Sequence, residues 1–354
     1  MASIRPSTLL LRVDGFGLQD CLATGPGSAI LGSLLFSALF PAPMSVKFLL
    51  RVAGTLLLAW AAAAACVALH TPLPWMLGPL VATSVLSMAG APTESWGPLR
   101  NGGQWAIGAA LGLYFTPEVS ALVGSLWWAI VLGIGWALLL GWGFGAWLYR
   151  LHAPRMHGVP ASMLRSTSYF AGAIGAASEM TLLSERENAR TDLVAASHSL
   201  RLLIVTITIP FALQWSGLQG LDILTPTVRD VSWPGLALLA LLTGAGALVM
   251  DRLGRANPWF MGAMLVSMAV TMAGLHLSAV PQAVVNAAQL VIGVSLGVRF
   301  RAEFLHTAPR WLASVAVGTF GLMGICAAFA AVLAWATGLP WVTLLLGTSP
   351  GGIT

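Results

Sequence analysis

Long apolar runs recur along the chain, continuous rather than alternating, with short polar stretches between them. A helix needs about 20 apolar residues to cross a hydrocarbon core of about 30 Å. In lipid only helices and closed barrels satisfy the backbone, and the lack of period-two alternation selects helices. The pattern predicts spans near 48–69, 73–92, 101–117, 121–149, 193–215, 233–250, 257–277, 283–299 and 311–337. Between the fourth and fifth lies Arg165–Leu183, RSTSYFAGAIGAASEMTLL. It is small, hydroxyl-rich and too polar to face lipid, so it predicts a re-entrant or broken segment buried in protein. The expected fold class is all-α, a polytopic membrane protein.

The first 43 residues differ. They are rich in Gly, Pro and Ser, with one short apolar run from Ala29 to Phe40 behind Arg5 and Arg12. A signal-peptide core is one reading of that run; a poorly ordered extension from an upstream start is the favoured one. Met44–Arg51 then reads as a natural beginning, a short basic lead into a span. The expected organisation is an extension over 1–43, a membrane repeat over 44–216 and a second repeat over 233–354.

That repeat is the strongest signal in the sequence. LPWMLGPL (Leu73–Leu80) matches NPWFMGAM (Asn257–Met264), and Met88-Ala89-Gly90 matches Met272-Ala273-Gly274. GQWAIGAALGLYFTPE (Gly103–Glu118) matches AQLVIGVSLGVRFRAE (Ala288–Glu303), with Gln, Ile-Gly, Leu-Gly, Phe and Glu in register. A weaker third block sets Ile174–Ser178 against Pro350–Thr354. By this arithmetic the counterpart of Glu179–Ser216, about 38 residues, is missing. The apolar, uncharged stretch Trp341–Thr354 is likewise an unusual end for a membrane protein, so the chain is expected to be a fragment or a frame-disrupted product.

Charge sets the orientation of the halves. If Arg165–Leu183 dips in and returns, 15 of the 17 Lys and Arg residues fall on one side, with Arg229 opposite and Arg201 inside a span. If it crosses fully, the loops split nine to seven. The positive-inside rule selects the first arrangement and places that side in the cytoplasm. The two copies then point in opposite directions, the inverted-repeat plan of many secondary transporters. The expected location is a bacterial inner membrane.

Composition narrows the function classes. The chain is 57% hydrophobic and 8% charged, against about 25% charged in ordinary globular domains. The net charge of +5 comes from arginines scattered over short loops, not from one clustered face as in a nucleic-acid footprint. Direct nucleic-acid binding is therefore not expected. Cys21, Cys66 and Cys326 form no CxxC pair, which argues against a structural zinc or disulfide framework. The six histidines are dispersed, and no convergent metal-ligand set, phosphate loop or nucleophile–base grouping is evident. No catalysis, cofactor or metal is expected.

On the quoted motifs, together with ASEM (Ala177–Met180) and SHSLRLL (Ser197–Leu203), residues 46–354 resemble the AbrB-type membrane protein family. Its members carry labels such as transcriptional regulator or ammonia monooxygenase. The resemblance implies a membrane protein tied in name to control of gene expression, with no substrate attached. The chain departs from the family in having Ile174-Gly175-Ala176 where the pattern has Pro-Gly-Gly, and in stopping at Thr354 where the pattern continues.

Several residues are candidates for a solute site. Glu179 closes the Gly-rich segment, where an intramembrane carboxylate is a functional candidate; the plainer reading is a helix-start acid favoured by the dipole. His198 and Arg201 share a helical face. Arg201 either binds an anionic solute, pairs with Glu179, or serves as a structural or snorkelling cation. Ser166, Thr167, Ser168, Gly175 and Ser178 bring hydroxyls and bared backbone to the break, suited to a cation through carbonyls or an anion through N–H groups. Ordinary satisfaction of a kinked helix is the alternative. Ser349, Gly351 and Gly352 mark the corresponding second-half segment. Gln104 and Gln289 occupy equivalent positions, where interhelical hydrogen bonds also explain them. Gly108-xxx-Gly112 and Gly293-xxx-Gly297 permit close helix packing, within the chain or in a homo-oligomer. The expected function is a secondary transporter or permease for a small solute, an anionic one included. A membrane sensor acting indirectly on gene expression is the alternative. The expected partners are the lipid bilayer, a small-molecule solute and, in the dimer-seam reading, a second copy.

Overall fold

The computed structural model describes residues 45–156, 158–175, 177–217, 230–300 and 308–350. The chain divides into two compact units, Met1–Leu49 and Leu50–Thr354, and every described helix lies wholly or mainly in the second. The expected extension over 1–43 lies outside the described residues.

Among the described residues thirteen helices run in order. They are α1 Val46–Ala68, α2 Pro74–Met88, α3 Gly97–Gly112, α4 Pro117–Ser125 and α5 Trp127–His152. Next come α6 Ala161–Gly172, α7 Ala177–Arg186, α8 Thr191–Ser216 and α9 Trp233–Arg252. The last four are α10 Pro258–Met272, α11 Gln282–Gly297, α12 Pro309–Thr337 and α13 Trp341–Thr348. The fold is all-helical, as the apolar runs predict. Of these helices α1, α5, α8, α9 and α12 are long and apolar enough to cross a bilayer.

Three expected spans are shorter than a bilayer. Helices α2, α10 and α11 have 15, 15 and 16 residues, about 23 Å each at 1.5 Å per residue. The expected fourth span, 121–149, is two helices. Thr116 starts α4: its hydroxyl accepts from Val119 N, Pro117 fills the first turn and Glu118 meets the dipole. Helix α4 is bent by 82° from α3, and the two together form one further apolar candidate span.

The helices sort by their packing into two bundles. In the first, α2 packs on α11, α3 on both α10 and α11, and α9 on α3 and α10. Helix α1 joins through Ala59, which packs with Leu290 and Val294 of α11. In the second, α5, α6, α7, α8, α12 and α13 surround a core of Leu140, Phe144, Leu148, Val194, Trp311 and Leu322. Helix α4 touches α10. Each bundle draws helices from both halves of the sequence.

Glycines set the close approaches. A Cβ on Gly108 or Gly112 of α3 would strike Phe260 and Met264 of α10; one on Gly293 or Gly297 of α11 would strike Met76 and Leu80 of α2. The small-xxx-small faces are therefore occupied inside the chain. Helices α2 and α10 match in length, and each begins after a left-handed residue: Leu73 (φ 43°) and Asn257 (φ 52°). Both turn out through a positive-φ glycine, Gly90 and Gly274.

Candidate functional site at the α6–α7 break

Helix α6 ends because Ala173 leaves helical geometry at φ −54°, ψ 142°. Four residues later α7 begins. The last turn of α6 presses against α5 through glycines on both sides. Gly172 meets the backbone of Gly145, and Gly141 meets Ala173 and Ile174. A helix C-terminus leaves its final carbonyls without intrahelical partners, and a buried one needs them satisfied.

Here α8 supplies the partners. Arg201, only 2% exposed, donates from Nη1 to the carbonyls of Ala171 (3.3 Å) and Gly172 (3.1 Å), and from Nη2 to Ala173 (2.7 Å). Nη2 also lies 2.9 Å from His198 Nδ1, and His198 Nε2 is 2.8 Å from the Phe170 carbonyl. The guanidinium has only donors, so Nδ1 must accept and Nε2 must carry the proton. The planar fork matches a row of carbonyls, and the cation sits at the negative end of α6. Among the described residues Arg201 has no acidic partner. The expected alternative of an Arg201–Glu179 pair is therefore not what holds this cation.

The other candidates are placed as follows. The Thr167 hydroxyl donates to Met163 O (2.7 Å) and accepts from Arg190 N (3.0 Å), tying α6 to the start of α8. Ser168 is buried, and its hydroxyl has no partner among the described residues. Ser166 is half-buried. Gly175 lies in the break beside the Met180 side chain. Glu179 is half-buried in the first turn of α7, where a helix dipole favours an acid. Ser178 belongs to α7, and its side chain is outside the described ones. Ser349 follows α13 and donates to Leu346 O (3.0 Å); Gly351 and Gly352 lie outside the described residues. Gln104 is in the first bundle and donates to Asn257 Oδ1 (2.8 Å). Gln289 is half-buried and cannot make the matching bond, because the residue equivalent to Asn257 is Leu73. Of the candidates, His198 and Arg201 bond the last residues of α6, Gly175 lies in the break and Glu179 in the first turn of α7, Ser166, Thr167 and Ser168 lie along α6, and the two glutamines lie elsewhere.

A second buried polar chain escaped the sequence reading. Trp311 Nε1 of α12 donates to Ser197 Oγ of α8 (2.9 Å), and the Trp311 ring packs on His152 of α5, which bonds Ser314 Oγ (3.1 Å). Three helices are pinned at that level by side chains far apart in sequence, so no local motif signals it.

Chemically, the last α6 carbonyls already accept from Arg201 and His198, and the adjacent guanidinium charge disfavours a second cation there. Among the described residues the Ser168 hydroxyl is the buried side-chain group at the break without a partner. Among the described residues no cluster of His, Cys, Asp and Glu has metal-ligand geometry.

The profile of a family described as "Transition state regulatory protein AbrB" matches residues 75–354. The chain belongs to the AbrB family. It is 25% identical over 291 residues to the Escherichia coli (strain K12) protein named "Putative regulator AbrB", covering 81% of this chain and 80% of that one. No solved structure matches it. The match runs across both bundles, so the α6–α7 break and its Arg201 clasp lie within the family region.

Proposed function

We propose that this AbrB-family membrane protein is a secondary transporter or permease for a small solute, an anionic one included, in a bacterial inner membrane. The observation that carries the reading is the interrupted helix pair α6–α7, clasped inside the second bundle by Arg201. Non-helical backbone is tolerated at membrane depth only where protein buries it or it lines a cavity. Transporters use such breaks to aim helix ends at a solute. With the last α6 carbonyls already bonded to Arg201 and His198, what remains at the break is the Ser168 hydroxyl and the Glu179 carboxylate.

The sequence repeat supports the same reading. Equal lengths of α2 and α10 and of α3 and α11, matching left-handed starts at Leu73 and Asn257, and the exchange of glycine contacts all fit two inverted halves. On this reading α2–α3 and α10–α11 are related by an axis in the membrane plane.

Regulation is the second reading, favoured by the description of the family as a transition state regulatory protein and by the name of its Escherichia coli relative, "Putative regulator AbrB". Uptake into liposomes carrying the purified chain, against a panel of small organic anions and neutral metabolites, separates the two. Accumulation above protein-free liposomes supports the transporter. Saturable binding of a panel member without movement of any supports the regulator and removes the transporter.

A further inference from the structure

Helices α5 and α12 lie side by side, joined where His152 bonds Ser314. Past that bond they wall an open groove of about 570 Å³, within the ~300–1,000 Å³ of ordinary ligand pockets. Leu140, Phe144 and Leu322 form its buried lining, and Trp142, Val317 and Ile325 stand exposed along it. The Phe144 and Trp147 rings stack at 5.7 Å and lie against Gly318. Glycine gives the groove its depth. Gly143 and Gly321 line it, and nothing lies within 4 Å of a Cβ added to either. Two poor helix formers thus hold open a space that a larger side chain would fill.

The dimensions suit a lipid chain rather than a partner helix. From Leu139 to Trp147 the groove runs about 12 Å at 1.5 Å per residue. One leaflet supplies half of a core of about 30 Å. A crossing helix needs the full thickness, yet beyond Leu139 the apolar surface is lined by α5 alone. Charge lies at the other end. Arg150 is exposed in the last turn of α5. It follows Trp147 by one turn and Gly143 by two, and so shares their helical face. Arg165 of α6 stands 5.3 Å over the ring of the adjoining Tyr149, which brings a second guanidinium to this end of α5. Among the described residues neither arginine has an acidic partner. The positive-inside count puts both on the cytoplasmic side, where anionic headgroups attract basic residues.

We propose that the α5–α12 groove binds an anionic phospholipid, with an acyl chain between Gly143 and Gly321 and the phosphate at Arg150. A guanidinium fork matches phosphate oxygens bidentately, and the apolar walls bury the chain. The site stands under either functional reading, transporter or regulator.

The test uses the purified full chain in detergent, with lipid binding read by native mass spectrometry and folding by melting temperature. The probes are dioleoyl phosphatidylglycerol and dioleoyl phosphatidylcholine, alike in chains and different in headgroup charge. Phosphatidylglycerol should bind about fivefold tighter. Arg150→Gln should remove most of that preference and leave phosphatidylcholine binding unchanged. Gly143→Leu and Gly321→Leu fill the groove and should weaken both lipids about tenfold without lowering the melting temperature. Gly321→Ala should fall between wild type and Gly321→Leu. Gly54→Leu on α1, where an added Cβ also meets nothing within 4 Å, should leave both affinities at the wild-type level. Equal lipid affinities in wild type and in the Gly143 and Gly321 variants would overturn the proposal. So would a phosphatidylglycerol preference that survives Arg150→Gln intact. A dimer that Gly321→Leu abolishes and neither lipid displaces would give the groove to a second copy and overturn it as well.

Discussion

Arg201 and His198 lie one turn apart on α8, with Nη2 2.9 Å from Nδ1, and together they occupy the carbonyls of residues 170–173. Four groups at the end of a buried helix are thus satisfied by two side chains. Arg201→Ala leaves three carbonyls without donors. An unsatisfied buried polar group costs about 1–3 kcal/mol, so this variant is expected to lose at least ~3 kcal/mol. Arg201→Lys carries a point charge that cannot span the row and should lose about half as much. Unfolding of purified variants in mixed micelles under increasing SDS checks the order wild type, Lys, Ala.

Leu73 and Asn257 hold the same left-handed conformation at the starts of α2 and α10. For Leu that region costs roughly 1–2 kcal/mol, while Asn visits it routinely. Leu73→Asn is expected to raise the melting temperature. Asn257→Leu should lower it by more than Leu73→Asn raises it, because it also removes the Gln104 bond. A melting series of the two single variants and the double variant measures both signs.

The glycine contacts are equally open to test. Gly108→Leu must separate α3 from α10, and Gly293→Leu must separate α11 from α2. Each is expected to prevent stable folding or to cost more than about 3 kcal/mol. Gly124→Ala, with nothing within 4 Å of the added Cβ, should be neutral or gain up to about 1 kcal/mol. Fluorescence-detected size exclusion of the three variants reads the contrast.

Much of the fold is legible in the amino-acid sequence, and the parts that are not share a cause. Apolar length shows α1, α5, α8, α9 and α12, because lipid demands it. Gly108 and Gly293 announce close packing but not the partner helix, since a glycine records only that something comes near. Thr116-Pro117-Glu118 has the residues of a helix start, yet it falls at the gap between the apolar runs 101–117 and 121–149 and reads there as a loop. Arg201 is visible as a lone intramembrane cation, for which a solute or Glu179 is the expected partner. Its actual partners are backbone carbonyls, which leave no mark in a sequence. Ser197 and Trp311 lie 114 residues apart, and nothing local links them.

That Ser197–Trp311 bond gives a fourth expectation. Trp311→Phe keeps the ring against His152 but removes the indole N–H, while Ser197 keeps its bond to Leu193 O. The loss should be near 1 kcal/mol, well below that of Arg201→Ala. Chemical unfolding of Trp311→Phe beside Ser197→Ala checks it, since the double variant should cost little more than either single.

The most direct test of transport through the α6–α7 break is solute uptake by liposomes containing wild type or Glu179→Gln at equal protein content and equal melting temperature. Glu179 carries the negative charge at the break, and among the described residues no ion pair holds it. Wild type should accumulate at least one small solute, and Glu179→Gln should lose most of that uptake. Uptake undiminished in Glu179→Gln, or wild-type liposomes that move nothing while binding a solute, would contradict the account.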